Sequence, residues 1–269
     1  MIFNPGMNVV NERYNIEGLL GRGGFGEVYK ARDNQLDRVV ALKVIQRNPA
    51  GSSGDTFFDY ETRFKQEAVV GAKINNDHVI RVYDVAQHSA DITALILEFA
   101  ENGSLTTRIA QKLLSPSEAI EIATQICKGL AAIHLPPLNG VHRDIKPSNI
   151  LFDSLNRAKV ADLGLVQMYG FTAARSLGEG GKHPGTPMYM SPEQEQETGY
   201  LTPASDIYAM GCVLFEMLTQ RVYQQLPRGA RVSSIIPDVP PALEAVVEQA
   251  LAVDPAQRFQ DAEVMRQAL

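Results

Sequence analysis

His142-Arg143-Asp144-Ile145-Lys146-Pro147-Ser148-Asn149 is the most informative run of residues in this chain, and the strand-like Ile150-Leu151-Phe152 follows it at once. The run places a carboxylate, an ammonium and an amide within six residues. Phosphoryl transfer needs a base beside the accepting hydroxyl, a cation beside the migrating phosphate and an oxygen ligand for Mg²⁺. Asp144, Lys146 and Asn149 are the candidates for these catalytic roles in that order, so Asn149 is also a candidate metal ligand. The alternative is a polar loop whose side chains only cap one another.

Composition limits the class of protein. The chain has 269 residues and a net charge of −6, and its length favours two lobes over one. It has no large run of Lys and Arg, so nucleic acid and anionic membranes are disfavoured as partners. Its two cysteines, Cys127 and Cys212, lie in apolar helical patterns, which suits a reducing compartment. With neither a signal-peptide pattern nor a long apolar run, the sequence predicts a cytoplasmic location and no membrane contact from this segment.

The first hundred residues are predicted to be rich in strands. Residues 14–46 alternate apolar and polar positions around glycines, which predicts three antiparallel strands. A helix from about Phe57 to Ile74 and two further strands, at 79–83 and 95–99, follow.

After Gly103 the apolar period becomes helical. Ser115-Pro116-Ser117-Glu118 is a capping box with proline at the first helical position, and it predicts a helix to about His134. Further helices are predicted after Thr202-Pro203 through Met217, after Pro240-Pro241, and over Ala262–Leu269. A small β lobe followed by a larger helical lobe is therefore expected.

Gly21-Arg22-Gly23-Gly24-Phe25-Gly26 has the spacing G-x-G-x-x-G. Dinucleotide-binding domains share this spacing, but they require a helix directly after the glycines and an acidic residue about 20 positions later. Here the strand-like Glu27-Val28-Tyr29-Lys30 follows instead. A glycine hairpin between two strands can lay its backbone amides over phosphates. On the glycines alone, an ordinary hairpin stays an open alternative.

A lysine and two carboxylates extend the candidate site. Lys43, in Ala41-Leu42-Lys43-Val44, is close to the pattern V-A-I-K and can point its ammonium at the α- and β-phosphates of a nucleotide. Glu67 on the predicted helix is the preferred ion-pair partner, and Glu61 is the competing candidate. Asp162, in Asp162-Leu163-Gly164 and 13 residues after Asn149, is a second candidate metal ligand.

These blocks together resemble the catalytic domain of a eukaryotic-type (Hanks-type) protein serine/threonine kinase of the bacterial-like branch. The resemblance covers about Tyr14 to Leu269, and it includes Ser191-Pro192-Glu193, Asp206 and Arg258 in the expected order. It implies an α+β, bilobal fold: a small antiparallel β lobe with one helix at about 14–100, and a larger, mainly α-helical lobe at about 104–269. Residues 1–13 are then an N-terminal extension of the kinase domain, which spans 14–269.

The resemblance also implies the function. The expected activity is transfer of the γ-phosphoryl group of Mg-ATP to Ser/Thr hydroxyls of proteins, including the chain's own activation loop. ATP and Mg²⁺ are the implied cofactors, with Mn²⁺ an allowed substitute, and protein substrates are the implied partners; a homodimer is compatible with it. A pseudokinase or ATP-binding scaffold is the alternative, and a small-molecule phosphotransferase of the antibiotic-kinase type is a third hypothesis. Lys43, Asp144 and Asp162 are all intact, which favours an active protein kinase.

Nucleotide-binding residues follow from the resemblance alone. It implies a gatekeeper at Leu97 and hinge backbone groups at Glu98 and Ala100. The four apolar residues of the implied adenine pocket are Leu20, Val28, Ala41 and Leu151. The implied set is Leu20, Gly21, Gly23, Gly24, Gly26, Val28, Ala41, Lys43, Glu67, Leu97, Glu98, Ala100, Leu151 and Asp162.

The resemblance further implies that Asp206 anchors the catalytic-loop backbone and that Glu193 pairs with Arg258. Lys146 together with Thr186, which is implied to bond Asp144 and Lys146, indicates Ser/Thr rather than Tyr acceptors. Arg143 beside the base is typical of kinases switched by phosphorylation of the activation loop.

Within that loop, which lies between Asp162 and Glu193, Thr172 and Ser176 are the candidate phosphosites, and Thr186 is the weaker one. The chain departs from the family pattern at Leu163, which replaces a phenylalanine, and at residues 220–239. The second departure is a short, proline-broken segment where relatives have a substrate-docking helix, so a reduced docking helix is expected.

Overall fold

The computed structural model describes residues 1–23, 26–46, 64–168, 186–196 and 201–269. The chain divides into two compact units. The first comprises Met1–Asn75 and Ile80–Ala100, and the second comprises Asn76–Val79 and Glu101–Leu269.

The first unit is built on a six-stranded antiparallel sheet in the order β1-β2-β3-β4-β6-β5. Its strands are β1 (Asn8–Val9), β2 (Tyr14–Gly23), β3 (Gly26–Asp33), β4 (Arg38–Gln46), β5 (Val82–Ser89) and β6 (Ile92–Glu98). A helix, α1, covers residues 64–71. The apolar residues of alternating strand positions form a core that includes Tyr29, Leu42 and Ile96, each fully buried.

Two predicted elements differ from the structure. The strand expected at 79–83 is instead β5, which begins at Val82 and runs to Ser89. The sequence did not reveal the full length of β5, because its residues are largely polar. It is an edge strand that buries little, and its extent is set by pairing with β6. The helix expected from about Phe57 to Ile74 is present over 64–71 and turns at 72–73, and residues 57–63 lie outside the described residues.

The second unit is mainly helical. Its helices are α2 (Leu105–Gln111), α3 (Pro116–His134), α4 (Pro192–Glu195), α5 (Pro203–Thr219), α6 (Pro241–Ala250) and α7 (Ala262–Ala268). Two short two-stranded antiparallel sheets accompany them: β7 (Gly140–Val141) with β10 (Gln167–Met168), and β8 (Ile150–Phe152) with β9 (Ala158–Val160). The predicted fold class, a small antiparallel β lobe with one helix and a larger helical lobe, is confirmed.

Helix α5 is the centre of the second unit. All of its residues except Glu216 are buried, and a helix that is buried on every face belongs in the middle of a core. It begins one residue earlier than predicted, directly after Thr202, with Pro203 at the first helical position. This start places Asp206 in the first turn, where the unpaired N–H groups favour a carboxylate.

Helix α3 also has the predicted start. The capping box of Ser115 and Glu118 is formed in both directions, and the helix ends at His134 as expected. Helix α2 was not predicted, although Ser104 accepts a hydrogen bond from the Thr107 backbone as its N-cap. Its seven residues are too few for a clear apolar period.

The segment between α5 and α6 holds single 3-10 turns at Tyr223–Gln225 and Val232–Ser234, and no α-helix lies between Thr219 and Pro241. This fits the proline-broken pattern seen in the sequence. Among the described helices, none combines the length and the apolar character that crossing a membrane requires.

Candidate active site

The loop from His142 to Asn149 connects β7 to β8 in the second unit. Pro147 opens a single 3-10 turn that ends at Asn149 and returns the chain to the hairpin. The turn brings Asn149 back onto Asp144, because its Nδ2 donates to the backbone oxygen of Asp144 at 2.8 Å and to Oδ2 at 3.1 Å. Both side chains are largely buried, with 5% of Asp144 and 8% of Asn149 exposed.

The Asp144 carboxylate is held through both oxygens. Lys146 Nζ donates to Oδ2 at 2.7 Å, while the backbone N–H and the hydroxyl of Thr186 both donate to Oδ1 at 3.0 Å. Lys146 Nζ also donates to the Thr186 hydroxyl at 2.6 Å, which closes a ring of three residues. One orientation of the carboxylate is therefore fixed, beside an ammonium and a hydroxyl. The structure brings Asp144, Lys146 and Asn149 together, and their catalytic roles stay predictions.

Asp206 anchors the backbone that precedes Asp144. Its Oδ2 accepts from the His142 N–H at 2.6 Å and from His134 Nε2 at 2.9 Å, and its Oδ1 accepts from the Arg143 N–H at 2.8 Å. Burial acts to raise the pKa of Asp206, but the hydrogen bond from His134 and those from the backbone hold it below its ordinary value. The central helix α5 thus fixes the loop from His142 to Asn149 through one buried carboxylate.

Arg143 is strained, with φ at 71° in the left-handed region. Such a conformation costs a non-glycine residue about 1–3 kcal/mol and persists only where its surroundings hold it. Here the Arg143 N–H donates to Asp206, and the Arg143 carbonyl accepts from Gln194 Nε2 at 3.1 Å. Gln194 is 3% exposed, and its Oε1 accepts from the Ser191 N–H at 3.1 Å. Helix α4 is thereby tied to the residue next to Asp144.

Sequence reasoning missed His134 and Gln194. The spacing Ser191-x-x-Gln194 was a visible capping signal, and that capping box is formed. The contact of Gln194 with Arg143, 51 residues away, has no local signal. The same holds for His134 and Asp206, which are 72 residues apart.

Glu193 and Arg258 form a two-pronged ion pair. Nη1 and Nη2 of Arg258 contact the two carboxylate oxygens of Glu193 at 2.7 and 2.9 Å. The remaining guanidinium donors go to the backbone oxygens of Ala252, Ala204 and Val253. Planar guanidinium and carboxylate groups match in this geometry, and every donor is satisfied although Arg258 is 2% exposed. The pair fastens α4 to the start of α5 and to the chain after α6.

Replacing Arg258 by methionine is expected to destabilise the fold by about 3–5 kcal/mol, because Glu193 then keeps a buried carboxylate with no cation. Burial acts to raise the pKa of Glu193, but the hydrogen bonds from Arg258 hold it below its ordinary value. A lowered native pKa gives stability that is full above the unfolded pKa and fades as pH falls through the native one. The deficit of Arg258→Met should therefore be larger at pH 7 than near pH 4.5.

Urea unfolding at both pH values measures this. Arg266→Met is the matched control, because Arg266 pairs with Glu263 on the exposed side of α7, and it should leave the unfolding midpoint nearly unchanged. A loss for Arg258→Met no greater than that of the control would contradict the structural importance of the buried pair.

Asn149 and Asp162 are the candidate metal ligands of the second unit. Asn149 uses its Nδ2 on Asp144, and in the described part of the chain no hydrogen bond reaches its Oδ1. The Ala161 N–H donates to the backbone oxygen of Asn149 at 2.8 Å, so Asp162 follows directly on a residue bonded to Asn149. An amide oxygen and a carboxylate are the hard donors that Mg²⁺ takes together with waters and phosphates. The donor set fits the ion.

In the first unit, Lys43 on β4 pairs with Glu67 on α1. Lys43 Nζ lies 2.5 Å from Glu67 Oε2, and Glu67 is 3% exposed. The preferred partner is therefore in place, and the competing Glu61 lies outside the described residues. This buried ion pair fixes the position of the Lys43 ammonium relative to strand β4.

The glycine segment forms the β2–β3 hairpin, as predicted. Gly21 and Gly23 end β2, Gly26 begins β3, and Gly24 lies outside the described residues. Gly26 has φ of 119°, and a Cβ there would collide with the carbonyl of Val44, so glycine is required.

The other predicted nucleotide contacts are placed unit by unit. Ala41 and Leu97 face each other across β4 and β6 and are 8% and 9% exposed. In the same unit, Val28, Glu98 and Ala100 are half-buried, and Leu20 is exposed. In the second unit, Leu151 is half-buried on β8. Their roles toward adenine stay predictions.

Of the predicted activation-loop sites, Thr186 is described and bonds Asp144 and Lys146, whereas Thr172 and Ser176 lie outside the described residues. Leu163, at the position where the family pattern has phenylalanine, is 2% exposed and opens a single 3-10 turn directly after Asp162. Leucine thus keeps an apolar side chain buried at this place.

Residues 14–268 of the chain match the family model described as protein kinase domain. The serine/threonine-protein kinase PknL of Mycobacterium tuberculosis is 34% identical over 270 residues, which cover 96% of this chain and 65% of that protein. Serine/threonine-protein kinase PrkC of Bacillus subtilis is 33% identical, with 95% of this chain and 40% of that protein covered. PknB of Mycobacterium leprae is 32% identical, with 96% and 42% covered. The chain thus spans from two fifths to just under two thirds of the length of these relatives.

Proposed function

This chain belongs to the protein kinase domain family, and we propose that it transfers the γ-phosphoryl group of ATP to serine and threonine hydroxyls of proteins, including those of its own activation loop. The observation that carries the proposal is the ring of Asp144, Lys146 and Thr186, with bonds of 2.6–3.0 Å. Relatives named serine/threonine-protein kinases, at 32–34% identity, support the same acceptor class.

Asp144 is the proposed base. A carboxylate fixed through both oxygens can accept the proton of an incoming hydroxyl without first reorienting. Lys146, 2.7 Å from that carboxylate, places a positive charge where the phosphoryl group moves toward the acceptor. The Thr186 hydroxyl donates to Asp144 and accepts from Lys146, so it sets the distance between base and cation.

The residues proposed to bind ATP and Mg²⁺ are those that the sequence predicts. The bound Mg-ATP supplies the phosphoryl group and charge neutralisation between its phosphates. Lys43, held by Glu67, is proposed to bind the α- and β-phosphates, and the glycine hairpin to cover them with backbone N–H groups. Asn149 and Asp162 are proposed to hold Mg²⁺, with Mn²⁺ as an accepted substitute.

Two other functions compete with this proposal, and one assay separates all three. Transfer from γ-labelled ATP to a generic protein acceptor supports the protein kinase. ATP binding without transfer supports the pseudokinase, and transfer only to a small hydroxylated molecule supports the phosphotransferase. The intact Lys43, Asp144, Asn149 and Asp162 favour the first outcome.

The proposed partners are ATP and protein substrates, in the cytoplasm. The two described cysteines, Cys127 and Cys212, are free and buried, which is compatible with a reducing compartment. The homodimer and the lack of nucleic-acid and membrane contacts stay predictions from the sequence.

Phosphorylation of Thr172 or Ser176 is expected to raise activity. A phosphate adds about −1.5 to −2 charge and can pair with the guanidinium of Arg143, which lies beside Asp144. Mass spectrometry after incubation with Mg-ATP should find the phosphate on one of the two residues, and the Asp144→Asn variant should stay unmodified under the same conditions. The switch is contradicted if neither residue is modified, or if alanine at both leaves activity unchanged.

A further inference from the structure

Glu27 is a largely buried carboxylate with no part in the chemistry described above. It follows Gly26 on β3, and 12% of its side chain is exposed. Across the hairpin, Arg22 Nε lies 2.8 Å from Glu27 Oε1. Arg22 and Glu27 are directly opposed, and the next opposed pair is Gly23 with Gly26. The ion pair therefore clamps the two strands at the last step before the glycine tip.

The other side of this carboxylate faces the N-terminal segment, residues 1–13. The Ile2 N–H donates to Glu27 Oε2 at 2.6 Å. The Tyr29 hydroxyl donates to the same oxygen and accepts from the N–H groups of Ile2 and Phe3, both at 2.9 Å. One buried carboxylate thus joins the segment to both strands of the hairpin.

The N-terminal segment is itself firmly placed. Phe3 and Val9 are 2% and 1% exposed and belong to the core of the first unit. Phe3 packs edge-on against His88 with ring centroids 5.0 Å apart, and the Val10 N–H donates to His88 Nδ1 at 3.0 Å. Strand β1 pairs with β2. The segment can therefore serve as a rigid support and does not depend on Glu27 alone for its position.

Charge strengthens the clamp. Burial acts to raise the pKa of Glu27, but hydrogen bonds from Tyr29 and Ile2, together with the ammonium of Met1, bring it to about 2, so the group is ionised at neutral pH. An ionised acceptor makes shorter and stronger hydrogen bonds than a neutral one.

We propose that Glu27 is a positioning residue through which the N-terminal segment holds the glycine hairpin of the nucleotide site. The inference rests on the proposed function, since the hairpin must bind the phosphates of ATP. Glycine-rich backbone has many accessible conformations, and ordering it on ATP costs binding free energy. When the strands next to the glycines are already held in place, part of the free energy needed to order the hairpin on ATP is no longer required.

Direct titration of Mg-ATP by calorimetry, together with kcat and the KM for ATP, tests this. Glu27→Gln keeps the size of the side chain and removes its charge. Glu17→Gln is the matched control, because Glu17 and Lys30 form another cross-strand ion pair of 2.8 Å on the same hairpin. Glu27→Gln is expected to raise Kd and KM by about fivefold to tenfold, with kcat within about twofold, a modest share of what misplacement of a site can cost. The control should stay within about twofold in both constants.

A double-variant cycle separates positioning from general loss of structure. Ile2→Pro removes the N–H that donates to Glu27 and to the Tyr29 hydroxyl, and it changes a side chain that packs on the core. Thermal melting checks that the fold is kept. If the segment acts through Glu27, Ile2→Pro weakens ATP binding alone but adds nothing to Glu27→Gln. Equal Kd values for Glu27→Gln and Glu17→Gln, or effects that multiply in the double variant, would overturn the proposal. A parent protein that binds ATP but transfers no phosphate would instead contradict the proposed function. The Kd values of the single and double variants would still test the role of Glu27.

Discussion

Asp144→Asn is expected to lower the rate of phosphoryl transfer by at least about 10²-fold while leaving the affinity for ATP nearly unchanged. The amide that replaces the carboxylate cannot accept the proton of the hydroxyl. The amide has the same size but only one accepting oxygen, so it can keep the hydrogen bond from Lys146 or those from Thr186, which reach different carboxylate oxygens at 2.7 and 3.0 Å. Asp206 still accepts from the His142 and Arg143 N–H groups, so the loop should keep its course. The proposed phosphate contact of Lys43 is not altered, which is why binding should survive.

Transfer rate at saturating ATP and the Kd for ATP measure the two halves of this expectation. Asp153→Asn is the matched control, because Asp153 is also 5% exposed but bonds Arg157 in the turn between β8 and β9. The control should keep its turnover. Turnover of Asp144→Asn within about threefold of the parent would remove Asp144 from the role of base.

Lys43→Met is expected to lower the transfer rate to a similar degree, at least about 10²-fold, and to raise the KM for ATP as well. The change removes the ammonium proposed to bind the phosphates, and it leaves Glu67, which is 3% exposed, without its partner at 2.5 Å. Loss of the Lys43 ammonium should therefore weaken ATP binding and also misplace the phosphates of the bound ATP.

Steady-state kinetics with ATP as the varied substrate check this, and Arg32→Met is the control. Arg32 lies on the neighbouring strand and forms an exposed ion pair with Asp37, so its loss should change neither constant appreciably. Glu67→Gln should reproduce much of the Lys43→Met effect. The assignment of the helix carboxylate is wrong if Glu67→Gln is fully active and Glu61→Gln is inactive.

The sequence was most informative where residue type and spacing are both constrained. The run from His142 to Asn149 predicted a polar constellation, and Asp144, Lys146 and Asn149 do lie in mutual contact. Proline and capping residues predicted the starts of the long helices α3 and α5 for the same reason, because unpaired N–H groups at a helix start select for few residue types.

The sequence was least informative where a contact joins distant parts of the chain through a single side chain. Gln194 reaches the Arg143 carbonyl and His134 reaches Asp206, yet neither pattern differs locally from an ordinary capping or core residue. Strand β5 shows the same limit, since its position is set by pairing with β6 and not by its own apolar residues.

Residues 1–13 show a third limit. The alternation of apolar and polar residues starts at Tyr14, which suggested that the kinase domain begins there. Phe3 and Val9 are nevertheless buried in the core of the first unit, and this burial is visible only once the sheet is formed. The boundary at residue 14 stays a prediction, and the packing indicates that removal of the N-terminal segment would expose apolar core surface.

Phosphosite mapping tests the central claim most directly. The purified chain is incubated with ATP, Mg²⁺ and a generic protein acceptor, beside the Asp144→Asn variant, and the acceptor is analysed by mass spectrometry. The account predicts phosphate on serine and threonine residues of the acceptor with the parent protein, and none above background with the variant. Phosphate on tyrosine alone, equal labelling by Asp144→Asn, or no labelling by a parent protein that binds ATP would contradict it.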